Sequence, residues 1–146
     1  MKINPYILLA DDDPDDCMFF REALEALSVS PHQLSVNNGE KLMNLLLSRS
    51  EKLPDILFLD LNMPRKDGFE CLLEIKNNKE LEAIPVVIIS TSYDSCVADE
   101  LWDNGASYYI QKPIGFSQLQ ELIELAIDLV VNKGKIRPEK NSFLLR

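Results

Sequence analysis

Carboxylates, hydroxyls and one ammonium stand in this chain where apolar runs end. Tyr6-Ile7-Leu8-Leu9-Ala10 runs into Asp11-Asp12-Asp13, and Ile56-Leu57-Phe58-Leu59 runs into Asp60. Pro85 to Ile89 ends in Ser90-Thr91, and Ala106 to Gln111 ends in Lys112-Pro113. If the runs are parallel strands of one sheet, the acids, a hydroxyl and an ammonium converge on one edge, where open α/β sheets place their sites. Acids brought together in a partly dry cleft repel one another by several kcal/mol per close pair. Keeping them there calls for a cation or for strongly raised pKa values. Oxygen ligands in an incomplete shell favour Mg²⁺, which retains waters and joins phosphate oxygens.

Other chemistries find no support. His32 is the single histidine, so there is neither a soft-metal cluster nor a Ser-His-Asp triad. No GxxxxGK[ST] or GxGxxG loop is present, which removes the usual nucleotide cradles. Asp11, Asp13, Asp15 and Glu22 match positions 1, 3, 5 and 12 of a calcium loop. That loop needs glycine where Asp16 stands, and Pro14 would open a helix inside it. Asp13, Asp15 and Asp16 are accounted for as a helix start, where acids suit the dipole.

The elements that must position these groups follow from periodicity. Apolar strand runs alternate with helical periods about five times, which predicts βαβ units and a parallel sheet covered on both faces. Asp13-Pro14 reads as an N-cap with proline at the first helical position. The helix it opens carries Cys17, Phe20, Leu24 and Leu27 on one face. A weak strand near Leu34-Ser35-Val36 is followed by Asn38-Gly39 and a helix with Leu42, Leu45 and Leu46. After Asp60 comes a turn-rich loop, Asn62 to Gly68, and a helix holding Phe69, Leu72, Leu73 and Ile75. Asp94 or Ser95 caps the next helix, and the last is expected from about Ser117 to Asn132, with Gly134 as its stop. The expected architecture is a doubly wound, five-stranded parallel sheet with five helices. The order 2-1-3-4-5 is the common one at this size.

Composition bounds the rest. The 146 residues make one domain. No apolar stretch is long enough to span a bilayer, and the start has no signal-peptide core, so a cytoplasmic, membrane-free protein is expected. Cys17, Cys71 and Cys96 form no CxxC pair and read as reduced, mostly buried thiols. The formal charge of −9 disfavours nucleic acid as the partner. It is unevenly spread: from Lys133 onward the chain carries five basic residues against Glu139, which reads as a solvated basic extension.

Five pieces in order resemble the receiver domain of bacterial response regulators: Leu8-Leu9-Ala10-Asp11-Asp12; Asp60-Leu61-Asn62-Met63-Pro64 with Asp67-Gly68; Ile89-Ser90-Thr91; Gly105-Ala106-Ser107-Tyr108-Tyr109; and Lys112-Pro113. The resemblance spans about residues 5 to 130, giving a receiver domain over 5–132 and an extension over 133–146. It implies a flavodoxin-like fold and a phosphorelay protein whose Asp60 accepts a phosphoryl group. The donor would be a phosphohistidine of a sensor histidine kinase or histidine phosphotransfer protein. It implies Mg²⁺ held by Asp12 directly, by Asp11 largely through water, by Asp60 and by the Asn62 backbone carbonyl. Ser90 and Lys112 would bind phosphoryl oxygens, and Tyr109 would turn inward as a switch. The Lys112-Pro113 bond is often cis in this family. Ser90 stands where threonine is more frequent; it keeps the hydroxyl and loses the methyl.

With no DNA-binding domain after the receiver, output by protein contact is expected. Asp13-Pro14-Asp15-Asp16 and Met63 to Gly68 also resemble small receivers that partner phytochrome-type kinases. Independently, the last helix places Leu119, Ile123, Ala126, Ile127 and Val130 on one face. Leu125 and Leu129, extended by Leu122, lie roughly 90 to 130° away. That strip marks either a homodimer or partner interface, or a bed on which Phe143, Leu144 and Leu145 fold back. Two rival functions remain at this level. One is a small Mg²⁺-dependent phosphohydrolase working through an aspartyl phosphate, for which Asp11 and Asp13 supply a DxD pair but the short loops supply no cap. The other is a receiver that binds partners without phosphorylation, against which the intact acids and lysine argue.

Overall fold

The computed structural model describes residues 4–27, 32–48, 52–113 and 115–145. The elements alternate as expected: β1 (Tyr6–Ala10), α1 (Pro14–Glu25), β2 (His32–Val36), α2 (Gly39–Leu47), β3 (Ile56–Asp60), α3 (Gly68–Lys76), β4 (Val86–Ser90), α4 (Ser95–Asp103), β5 (Tyr108–Gln111) and α5 (Phe116–Ile127). The strands pair in parallel in the order β2-β1-β3-β4-β5, and a further strand, β6 (Leu144–Leu145), continues the sheet beyond β5.

Burial explains the continuous apolar strands. In β1, β3 and β4 every residue is buried, as strands covered on both faces must be. Leu8, Ala10, Leu57, Leu59 and Ile88 face one core with α2, α3 and α4 residues such as Leu42, Leu72 and Leu101. Ile7, Leu9, Phe58, Val87 and Ile89 face the other, against Phe20 and Leu24 of α1 and Ile123 and Ile127 of α5. The helices begin where short polar side chains cap them. Asp13, Asn38, Asp67 and Asp94 each accept backbone N–H groups of the first turn.

The sheet has six strands rather than five, and the cause lies in the tail. Phe143 and Leu145 are buried, and the Tyr109 N–H donates to the Phe143 carbonyl at 2.9 Å. Lys133, Lys135, Arg137 and Lys140 are exposed, as a solvated extension would have them, but Arg137 and Lys140 also tie the segment to the domain. The Arg137 guanidinium lies 4.0 Å over the Trp102 ring and donates to the Ala106 carbonyl at 3.1 Å. Lys140 pairs with Asp99 at 3.4 Å. The Trp102 indole donates to the Pro138 carbonyl at 3.0 Å, and the Tyr108 hydroxyl to that of Lys135. Three apolar residues at the chain end, too few to form a core alone, gain burial by covering the open edge of β5. The last helix also differs: its α-helical part ends at Ile127, and Asp128–Asn132 widens into a π-helical turn. Gly134, with φ +66°, then stops it, as the Lys135 N–H reaches back to the Leu129 carbonyl.

Of the thiols, Cys71 is buried, Cys17 is partly covered and Cys96 is exposed, so the expectation of mostly buried cysteines fails for Cys96. All three are free. Burial pushes Cys71 up to about 12 and Cys17 to about 11, which leaves both as inert thiols. No helix among the described residues is long and apolar enough to cross a membrane.

Candidate functional site

Parallel strands end together, so β1, β3, β4 and β5 deliver their last residues to one edge. Asp11 follows β1; Asp60 ends β3; Ser90 ends β4; Lys112 follows β5. One carboxylate oxygen each of Asp11, Asp12 and Asp60 lies within 4.8 Å of the others. Asp11 is 1% and Asp60 5% exposed, whereas Asp12 opens to solvent.

Two glycines let the surrounding backbone come this close. A Cβ on Gly68 would sit 2.3 Å from the Asp60 carbonyl oxygen and 2.8 Å from the Leu61 Cα. Only glycine allows α3 to start against the end of β3, where the Gly68 N–H meets the Leu61 carbonyl at 3.0 Å. A Cβ on Gly39 would likewise strike the Lys66 carbonyl. Between β3 and α3 the chain folds tightly: the Lys66 N–H bonds the Pro64 carbonyl at 2.8 Å, around Arg65 at φ +69°. Buried Met63 anchors this loop.

Electrostatics in the cleft follow from that burial. Loss of solvent pushes the Asp60 carboxyl up to about 7; Lys112 opposes the shift and Asp11 adds to it. Burial also raises Asp11, against the pull of Lys112 and of the Asp13 N–H, which donates to Asp11 Oδ1 at 3.0 Å. The Lys112 ammonium stands 2.8 Å from Asp11 Oδ2, 2.7 Å from Asp16 Oδ2 and 4.0 Å from Asp60 Oδ1. Burial alone would lower its pKa, but the hydrogen bonds to Asp11 and Asp16 raise it, so the lysine stays charged.

The remaining expected residues take these places. Ser90 is buried, and its Oγ accepts the Ser92 N–H at 3.3 Å. Asn62 sits beside Asp60, its N–H directed to Asp60 Oδ1 at 3.4 Å, with its side chain exposed. Tyr109 stands inward, 1% exposed, its hydroxyl donating to the Ser92 carbonyl and its ring edge-on to Tyr93 at 5.3 Å. The Lys112–Pro113 bond is trans, since no cis peptide occurs among the described residues. Leu122 of α5 and Leu129 of the π-helical turn after it are half-buried, and Leu125 of α5 is exposed. Leu129 borders a cavity with tail residues Gly134 to Glu139, Ser142 and Leu145, while Leu122 and Leu125 border a separate hollow with Pro113, Gln118 and Glu121. Phe143 to Leu145 therefore fold back on the β5 edge, leaving Leu125 uncovered.

Sequence reasoning missed Asp16, assigned above to the helix start alone. A signal was present: Asp16 precedes Phe20 by four residues and Leu24 by eight, on the buried face of α1.

Three oxygen donors, two of them buried beside a single ammonium, fit a hard divalent cation and suit neither zinc nor copper. Such a cation supplies charge neutralisation in a cleft that otherwise holds more acid than base.

Known proteins match this chain in sequence and fold. The response regulator receiver domain family matches residues 7–124. The response regulator Rcp1 of Synechocystis sp. is 30% identical over 122 residues, covering 81% of this chain and 83% of Rcp1. Among solved structures, the phosphorylated cyanobacterial phytochrome response regulator RcpA superposes with a TM-score of 0.82 at 31% identity, covering 89% of this chain and 96% of that one. The Mn²⁺-bound form of Rcp1 gives 0.78 at 28% identity, over 86% and 92%. Together with the strand-end acids and lysine, these matches place the chain in the response regulator receiver family, the modules of two-component systems that accept phosphoryl groups from histidine kinases.

Proposed function

We propose that Asp60 is the phosphoacceptor of this receiver, with Mg²⁺ held by Asp11, Asp12, Asp60 and the Asn62 backbone carbonyl. The observation that carries this reading is Lys112 Nζ, fixed 4.0 Å from Asp60 Oδ1 inside a buried acid pair. Phosphoryl transfer asks little of a protein beyond an in-line nucleophile, neutralised charge and positioning. An Asp60 carboxylate oxygen attacks phosphorus as the P–N bond to the donor imidazole breaks, and the departing imidazole nitrogen takes a proton from water. Asp11, Asp12 and Asp60 would hold Mg²⁺, whose charge would offset theirs where the phosphoryl anion enters. Lys112 pairs with one phosphoryl oxygen as a point charge, and the Ser90 hydroxyl donates to another. Tyr109, already inward beneath Ser92, registers the movement of Ser90. The protein works as a phosphoacceptor that assists its own loading and dephosphorylation.

The donor is a sensor histidine kinase or a histidine phosphotransfer protein in the cytoplasm. The likeness to RcpA, described as a phytochrome response regulator, makes phytochrome-type kinases the first to try. Exposed Leu125, with Leu122 and Leu129 beside it, is proposed as a homodimer or partner contact. The decisive experiment incubates the protein with Mg²⁺ and acetyl phosphate and reads intact mass. A labile phosphoryl adduct is expected on the wild type and none at that site on Asp60→Asn; an adduct that survives the substitution there overturns the assignment.

A further inference from the structure

The ion pair between Asp16 and Lys112 joins residues 96 positions apart in sequence, and a helix start does not require it. Asp15 and Asp16 both suit the dipole of α1, yet Asp15 is exposed while Asp16 turns inward. Its partner is nearly buried, with the Lys112 side chain 11% exposed. Phe20, Leu119, Pro113 and Phe116 line the cavity that Asp16 and Lys112 share. Apolar walls of this kind strengthen the pair and hold the lysine stem.

An ammonium has three N–H donors. Two are engaged, by Asp11 at 2.8 Å and Asp16 at 2.7 Å. Asp60 Oδ1, at 4.0 Å, is too far for a hydrogen bond, and a phosphoryl group attached to Asp60 would bring an oxygen into that gap. The two engaged acids are not equivalent. Asp11 belongs to the cluster with Asp12 and Asp60 that suits a cation, whereas Asp16 lies outside it. A cation drawing on Asp11 therefore leaves Asp16 as the anchor of the ammonium.

We propose that Asp16 is a positioning residue: it holds Lys112 at the mouth of the cleft, with one N–H free for the phosphoryl group on Asp60. The proposal rests on the phosphoacceptor reading above, but its first test does not. Asp16→Ala and Asp16→Asn are compared with wild type by ¹H–¹⁵N spectra of the lysine ammonium groups, recorded with Mg²⁺ and no phosphodonor. A held, slowly exchanging ammonium signal, assigned by its loss in Lys112→Ala, is expected in wild type. It should be lost in Asp16→Ala and retained in Asp16→Asn, whose amide oxygen still accepts. With acetyl phosphate, the maximal loading rate of Asp16→Ala should fall about five- to tenfold at unchanged half-saturating Mg²⁺, and Asp16→Asn should recover most of it. An unaltered Lys112 signal in Asp16→Ala, or loading at the wild-type rate, overturns the proposal. So does a loss explained by weaker Mg²⁺ affinity. Failure of the wild type itself to form an adduct would refute the acceptor reading instead, leaving the ammonium signal to decide on Asp16.

Discussion

Asp60 is costly to keep ionised where it stands. Its carboxyl titrates at about 7 in the fold against 3.8 for an ordinary aspartate, because burial outweighs the attraction of Lys112. A raised carboxyl stabilises the folded state fully below the unfolded pKa, and that contribution is lost as pH rises through the folded one. The metal-free protein should therefore lose stability between about pH 4 and pH 7 on account of Asp60, by an amount on the order of 2–4 kcal/mol. Asp60→Asn should flatten that loss and raise the melting temperature at pH 8 in chelator, as should Asp12→Ala to a smaller degree. Thermal melts at pH 5 and pH 8, with and without chelator, check this; variants that melt no higher than wild type at pH 8 contradict it. Asp11, Asp12, Asp60, Ser90 and Lys112 were legible because each sits where an apolar run ends, a one-dimensional signal. Asp16 was not, because local helix chemistry already accounted for it and its partner lies on the far side of the sequence.

Among the elements, the junction of β3 and α3 sets how far Asp60 reaches. The helix presses its first residue against the strand's last carbonyl, with no room for a side chain at Gly68. Gly68→Ala should push the two apart, destabilise the fold by about 1–3 kcal/mol and slow loading of Asp60 more than its melting curve alone would explain. Calorimetry together with the adduct assay separates the two effects; normal loading at normal stability would contradict the argument. The caps at Asp13 and Asp94 were readable because each acts on neighbours within three residues. The widened turn at Asp128–Asn132 was not readable. Its apolar spacing continues that of α5, and the altered hydrogen bonding carries no residue signature of its own.

On the scale of the whole molecule, the tail changes what the domain is. Its charge pattern indicated a solvated extension, but charge says little about residues whose aromatic and apolar neighbours find partners 30 or more positions away, as Arg137 and Trp102 do. Trp102, the single tryptophan, gives a direct optical readout. Ending the chain after Asn132 should expose its indole, shift its emission to longer wavelength and cost about 3–5 kcal/mol through the lost burial of Phe143 and Leu145. Unchanged emission and denaturation midpoint would contradict the packing described. For the strip along α5 and the turn that follows it, Leu125→Glu with Leu129→Glu should lower the molar mass in solution if the contact is between copies; light scattering decides.

β6 is two residues long, which has a bearing on how the protein behaves at high concentration. A sheet edge with a long row of open peptide groups invites a strand from another molecule. Here β6 pairs with Tyr109 and Ile110 of β5 and takes up that part of the row. Shortened variants should therefore be less soluble as well as less stable, with aggregation starting on the side of the sheet that carries Tyr109.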